Sequence, residues 1–250
     1  MKVLVTGAAN GLGHALAKAH LARGDRVIGV DREAGPMQAL AATHTERFVG
    51  FLCDLADRQA VRRLPDRLEG PFDRVILNAG ISATGRFEEI DGEAYERVLE
   101  VNAATPILLS NALLDRMERG GRLVFVSSLS HVTGYPGAAV YAATKDAIAI
   151  YAKSVAKPLA RRGIGVTTVF PGPIRTAHAE RHAPPDARAE KRMDPDDLAR
   201  RIVKAADRGE AVLYPGAGAL GAYVAGGLAP NAMTRLMRRL IFERLDGTAT

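Results

Sequence analysis

Lys2-Val-Leu-Val-Thr6-Gly7-Ala-Ala-Asn10-Gly11-Leu12-Gly13 opens the chain with a short apolar strand, a glycine-rich turn and the start of a helix. The glycines permit a tight turn and a close backbone approach. The helix N-terminus beyond them offers free N–H groups to a pyrophosphate. A glycine turn alone can serve geometry only, but a strand before it and a helix after it are the context a dinucleotide site needs. The helix is expected from Gly11 to Arg23, with Leu12, Ala15, Leu16, Ala19 and Leu21 turned inward.

Outward from that turn the same alternation repeats. Arg26 to Val30 reads as a second strand ending at Asp31-Arg32, where a ribose-binding carboxylate belongs. A third strand, Arg47 to Leu52, closes with Cys53-Asp54-Leu55, and Asp57 can cap a helix reaching Leu68. Arg74 to Leu77 is a fourth strand, ending in Asn78-Ala79-Gly80. A long helical pattern then runs from Gly92 to Glu118, its apolar face interrupted by Asn102. A buried Asn must find partners or carry function. Gly121 to Ser128 is the fifth strand, followed by a helix from Gly137 to Arg161 and a sixth strand from Gly163 to Phe170. That strand ends in Pro171-Gly172-Pro-Ile174-Arg-Thr176. Asp194 starts a capped helix to Arg208, and Ala211 to Tyr214 is the last strand. This order predicts an α/β fold: one Rossmann-type domain over 1–250, a doubly wound parallel sheet with helices on both faces. In such sheets ligands bind beyond the carboxyl ends of the strands. The glycine turn, Asp31, Asp54, Asn78, Ser128 and Pro171 all fall there.

Chemistry enters with Ser128 to Lys145. Tyr141 and Lys145 stand four apart on the expected helix and share a face. Such a pair is commonly an amphipathic face with a snorkelling lysine. It also has a catalytic use. At about 4 Å and an effective dielectric of about 20, phenolate and ammonium attract by roughly 4 kcal/mol. That would bring a phenol from about 10 toward about 7, where it can exchange a proton with an alcohol.

Composition narrows the classes. One cysteine, Cys53, excludes an internal disulfide and a cysteine metal site, and fits a reducing compartment. With no signal-like N-terminus, a cytoplasmic protein is expected. The net charge of +6 comes from 34 basic residues spread among 28 acidic ones, without a basic aromatic ribbon, so no nucleic-acid partner is expected. His178 and His182 are spaced i, i+4, but no third ligand is evident and no metal is expected.

The motif order resembles the classical short-chain dehydrogenase/reductase family from Lys2 to about Thr176. It comprises Thr6-Gly7-x-x-x-Gly11-x-Gly13, Asp54, Asn78-Ala79-Gly80, Asn102, Ser128, Tyr141-x-x-x-Lys145 and Pro171-Gly172 through Thr176. The resemblance implies an NAD(P)-dependent oxidoreductase acting on a secondary alcohol or ketone. Tyr141 would be the acid/base, and Ser128, which fits the family's spacing better than Ser127, would hydrogen-bond the carbonyl. Lys145 would lower the Tyr141 pKa and hold the nicotinamide ribose, and Asn102 would keep a water in a relay behind it. The cofactor would further meet Gly7, Asn10, Gly11, Leu12 and Gly13 at the turn, and Asp31 and Arg32 at the adenosine ribose. Asp54 and Leu55 would lie at the adenine, Asn78, Ala79 and Gly80 along the sheet, and Pro171, Gly172, Ile174 and Thr176 at the carboxamide.

Asp31 favours NAD over NADP, while Arg32 argues the other way. His131 to Pro136, Ser82 to Arg86 and the 177–194 loop are expected to line the substrate pocket. A dinucleotide-binding regulatory protein without turnover is the alternative, although a sensor has no need of the complete Ser128, Tyr141, Lys145 and Asn102 set. The tail from 215 to 250 departs from the family pattern. Met233, Leu236, Met237, Leu240, Ile241 and Leu245 follow helical spacing, with Arg235, Arg238, Arg239 and Arg244 mostly opposite. Cover of the substrate side or a subunit surface is expected there, rather than membrane attachment. A homodimer through the helices at 92–118 and 138–161, or a homotetramer, is the expected assembly.

Overall fold

Strands β1 (Lys2–Thr6), β2 (Arg26–Asp31), β3 (Phe48–Leu52), β4 (Phe72–Leu77), β5 (Met117–Val126), β6 (Gly165–Val169) and β7 (Val212–Leu213) pair in parallel. Their order in the sheet is β3-β2-β1-β4-β5-β6-β7. The computed structural model describes residues 1–132, 135–177, 180, 192–239 and 243. Because β1 lies between β2 and β4, the winding reverses there. That reversal opens a crevice above the carboxyl ends of β1 and β4.

The strands are buried on both faces, so alternate residues serve two cores. Val3 and Val5 join α1 (Gly11–Ala22), α2 (Ala34–Thr43) and α7 (Pro195–Asp207) through Leu12, Leu16, Met37, Leu198 and Ile202. Leu4 faces the other way. On its side Leu64 of α3 (Arg58–Arg67), Leu109 of α5 (Thr105–Ala112) and Ile148 of α6 (Ala139–Arg161) pack with Phe72 and Phe125. Each such side chain contributes about 1.5–3 kcal/mol by leaving water. Asp57 and Asp194 cap α3 and α7 as expected, each accepting two backbone N–H groups.

The expected helix from Gly92 to Glu118 is divided. It consists of α4 (Gly92–Leu99), a π-helical turn at Glu100–Ala104, α5, and a 3₁₀ turn at Leu114–Arg116. Pro106 has no N–H to donate, and the wider turn just before it accommodates the loss. Met117 already pairs with Phe72, so β5 begins earlier than its apolar run suggests and ends at Val126, before the two serines. Helix α2, buried only through Met37 and Leu40, has no clear periodic signature in the sequence. Beyond β7 the tail forms α8 (Ala217–Leu228) and α9 (Pro230–Met237). Thr133, Gly134, His178, His182, most of the 177–194 loop, Leu240, Ile241, Arg244 and Leu245 lie outside the described residues.

Candidate active site

At the reversal point the backbone is tied down from both strands. Thr6 Oγ1 accepts the N–H groups of Asn78 at 3.0 Å and Ala79 at 3.2 Å, and the Asn78 amide donates to Thr6 O at 3.0 Å. Gly7 turns through a φ of +72°. Helix α1 starts so close behind it that a Cβ on Gly13 would lie 1.8 Å from Gly7 O. Above this turn opens a cavity of about 950 Å³. Of the site residues expected from the sequence, all but Gly13, Asn102, Ser128 and Gly172 line it.

One end of the cavity is acidic. Asp31 Oδ2 accepts from Ala9 N–H at 2.9 Å, and Oδ1 from Glu33 N–H at 3.2 Å. Asn10 Nδ2 donates to Glu33 Oε2 at 2.9 Å, and Arg32 lines the wall beside them. Asp54 accepts from Ala56 N–H at 3.0 Å and from Arg97 Nη2 at 3.1 Å. Partial burial works against its charge, yet these donors hold the carboxyl below its usual range.

The other end holds the phenol and the ammonium. Lys145 is 4% exposed, donates to Val126 O at 3.0 Å, and sits 5.7 Å from the centre of the Tyr141 ring. Ser127 Oγ donates to Lys145 O at 2.7 Å, which fixes the helix against β5. Ser128 acts on the Tyr141 phenol, and its Oγ accepts Ser130 N–H at 3.2 Å. Burial pushes the Tyr141 phenol above its ordinary value, and the Ser128 hydroxyl opposes the rise. The sequence leads one to expect a phenol lowered by Lys145; in the ligand-free protein burial is the largest influence on Tyr141, and the net direction is upward.

Asn102 sits on the π-helical turn and locks the next stretch of backbone. Its Oδ1 accepts Ile81 N–H at 2.8 Å, and its Nδ2 donates to Ile81 O at 2.9 Å and Thr144 Oγ1 at 3.2 Å. Both amide hydrogens are therefore used within the protein. Pro171 O accepts Leu129 N–H at 3.1 Å, joining the end of β6 to the turn after Ser128. Thr176 lies over the glycine turn, where a Cβ on Gly11 would meet its Cγ2 at 3.1 Å.

A family described as short chain dehydrogenase matches residues 1–186. The chain belongs to the short-chain dehydrogenase family. Among similar proteins, 3-oxoacyl-(acyl-carrier-protein) reductase FabG of Escherichia coli is 32% identical over 178 residues, covering 69% of this chain and 73% of the reductase. A solved short-chain dehydrogenase from Streptomyces avermitilis superposes with a TM-score of 0.81 at 28% identity, covering 100% of this chain and 98% of that one. BdcA, solved in complex with NADPH, gives a TM-score of 0.72 at 26% identity, over 82% and 86% of the two chains. The protein is thus an NAD(P)-dependent oxidoreductase of this family.

The cavity of this short-chain dehydrogenase fits a nicotinamide dinucleotide. Glycine backbone leaves room at the α1 N-terminus, carboxylates stand at one end, and a buried cation stands at the other. Several wall residues carry no sequence signal. Glu33 and Arg97 line the acidic end, and the Arg97–Asp54 pair joins α4 to the end of β3. Tyr135, within the His131–Pro136 stretch expected at the substrate pocket, is an electrostatic neighbour of Tyr141 and lies near the charge of Arg192.

Lys145 yields a pH prediction. Burial pushes its pKa from the ordinary 10.5 down to about 8. Below about 8 the folded and unfolded states both carry the proton, and the cost of the buried charge is fully present. As pH rises from about 8 toward 10.5, the folded protein sheds that proton first and gains stability. Urea midpoints should therefore move in favour of wild type relative to Lys145→Met across that window. A constant gap between the two proteins would mean that Lys145 is solvated.

Proposed function

We propose that the protein interconverts a secondary alcohol and its ketone with NAD(H), using Tyr141 as acid/base. The observation that carries this reading is buried Lys145, 5.7 Å from the centre of the Tyr141 ring, with both residues lining a dinucleotide-sized cavity and Ser128 acting on the Tyr141 phenol. When bound, the nicotinamide supplies or accepts the hydride. In reduction, Tyr141 gives its phenolic proton to the carbonyl oxygen while Ser128 Oγ donates a hydrogen bond to that same oxygen. In oxidation the phenolate takes the proton back. Lys145 orients the cofactor's ribose and offsets charge on the phenolate, and Asn102 holds the Ile81 backbone that borders this end.

Coenzyme choice rests on the acidic end. Asp31 would accept the adenosine ribose hydroxyls through charge-assisted bonds, and Glu33 adds a second carboxylate close by. A 2′-phosphate there would meet repulsion of roughly 3 kcal/mol per charge pair, at about 5 Å and a dielectric of about 20. Arg32 favours the phosphate, but it stands between two carboxylates in sequence. NAD(H) should exceed NADP(H) by about tenfold or more in kcat/KM, and Asp31→Ala should shrink or reverse the ratio. Equal efficiency in the unmutated enzyme would give control of the pocket to Arg32.

A 3-oxoacyl thioester is the competing substrate class, favoured by the likeness to the Escherichia coli reductase. It is also a ketone and would use the same residues. The family match ends at residue 186, before the tail. A screen of secondary alcohols with NAD, run beside 3-oxoacyl thioesters with NADH and NADPH, separates the two by absorbance of the reduced coenzyme. Coenzyme binding without turnover of any substrate would favour the regulatory alternative.

A further inference from the structure

The outward face of α8 is apolar along its whole length. Leu220, Val224 and Leu228 stand four apart, on one face, at 51%, 48% and 83% exposure. No residue between Glu210 and Arg235 carries a charge. The inward face is already committed. Ala219 is buried, and the Tyr223 ring lies 4.4 Å from Tyr214 and 6.0 Å from His131. His131 in turn stacks on Phe170 at 4.4 Å. This aromatic ladder fastens α8 to the turn that follows Ser128, so the leucine stripe faces away from the body of the protein.

Helix α9 adds charge beside the stripe. Leu236 is 47% exposed, and Arg235, Arg238 and Arg239 are exposed around it. Arg238 meets Glu243 at 3.1 Å, whereas Arg235 and Arg239 make no ion pair among the described residues. No helix among the described residues is long and apolar enough to cross a membrane. Exposed apolar side chains with adjacent unneutralised arginines are the composition that lies in the plane of an anionic bilayer surface. A two-fold contact between copies would instead use the same patch on both, bringing two sets of these arginines toward each other.

We propose that the α8–α9 tail is a docking surface for an anionic lipid bilayer, with Leu220, Val224 and Leu228 entering the acyl boundary and Arg235 and Arg239 meeting the headgroups. Helical spacing alone favours cover by the protein or a subunit; the exposure of Leu220, Val224 and Leu228 beside Arg235 and Arg239 favours the bilayer. The inference stands independently of the substrate assignment.

The test is cosedimentation of the full chain with phosphatidylcholine vesicles, with and without phosphatidylglycerol, at physiological salt. Pelleting is expected with the anionic vesicles only. Val224→Ser/Leu228→Ser and Arg235→Gln/Arg239→Gln should each weaken it by about tenfold or more. Unchanged NADH binding and circular dichroism would show that these surface variants are folded. Absence of pelleting overturns the proposal, as does pelleting that both variants retain. A dimer weakened by Val224→Ser/Leu228→Ser, in a protein that ignores vesicles, also overturns it and assigns the face to a second copy.

Discussion

Replacing Tyr141 by Phe should lower kcat by about 100- to 10,000-fold, the range in which a positioned acid/base contributes. The substitution removes one hydroxyl and leaves the ring beside Lys145, 5.7 Å from its ammonium. NADH affinity should therefore stay close to that of the wild type. In the unmutated enzyme, alcohol oxidation should rise with pH as the phenol ionises. Because burial raises that phenol, the rise in the ligand-free enzyme's kcat/KM belongs on the alkaline side of neutrality. A Phe variant that kept a tenth of wild-type turnover would remove Tyr141 from the proton path.

The second large effect falls on the glycine turn. A methyl group on Gly13 would sit 1.8 Å from Gly7 O, 2.6 Å from Gly7 C and 2.7 Å from Asn78 Nδ2. None of these atoms can move without disturbing the junction of β1, β4 and α1. Gly13→Ala should cost about 3 kcal/mol, at the upper end of ordinary overpacking. That corresponds to a fall of roughly 6–12 °C in Tm for a chain of this size. NADH binding should be lost with it, because the same turn borders the dinucleotide cavity. Gly35→Ala is the control: nothing lies within 4 Å of its Cβ position, and the helix there tolerates alanine. Equal melting temperatures for the two variants would contradict the packing argument.

What could be read from the sequence was local. The turn at Gly7, the carboxylate at Asp31 and the pair at Tyr141 and Lys145 each lie within one strand–turn–helix unit, and the structure places them around one cavity. The seven strands alternate with helices in the expected order. What could not be read depends on separate elements meeting. Asp54 finds Arg97 from α4, and the ladder of His131, Phe170, Tyr214 and Tyr223 assembles from four segments of chain. The direction of the Tyr141 shift belongs to the same class. Spacing on a helix gives the nearness of Lys145 but not the burial that opposes it. Apolar spacing likewise ran through Asn102 and Pro106, whereas the backbone changes to a π-helical turn there.

The most direct test of the central claim is deuteride transfer. NADH carrying two deuterium atoms at C4 of its nicotinamide, so that either face delivers label, is incubated with enzyme and the best ketone from the screen, in ordinary water. The expected product is an alcohol bearing deuterium at the carbinol carbon and a solvent proton on oxygen, formed by wild type and nearly absent with Tyr141→Phe. An alcohol without deuterium, or equal label from both proteins, would contradict it.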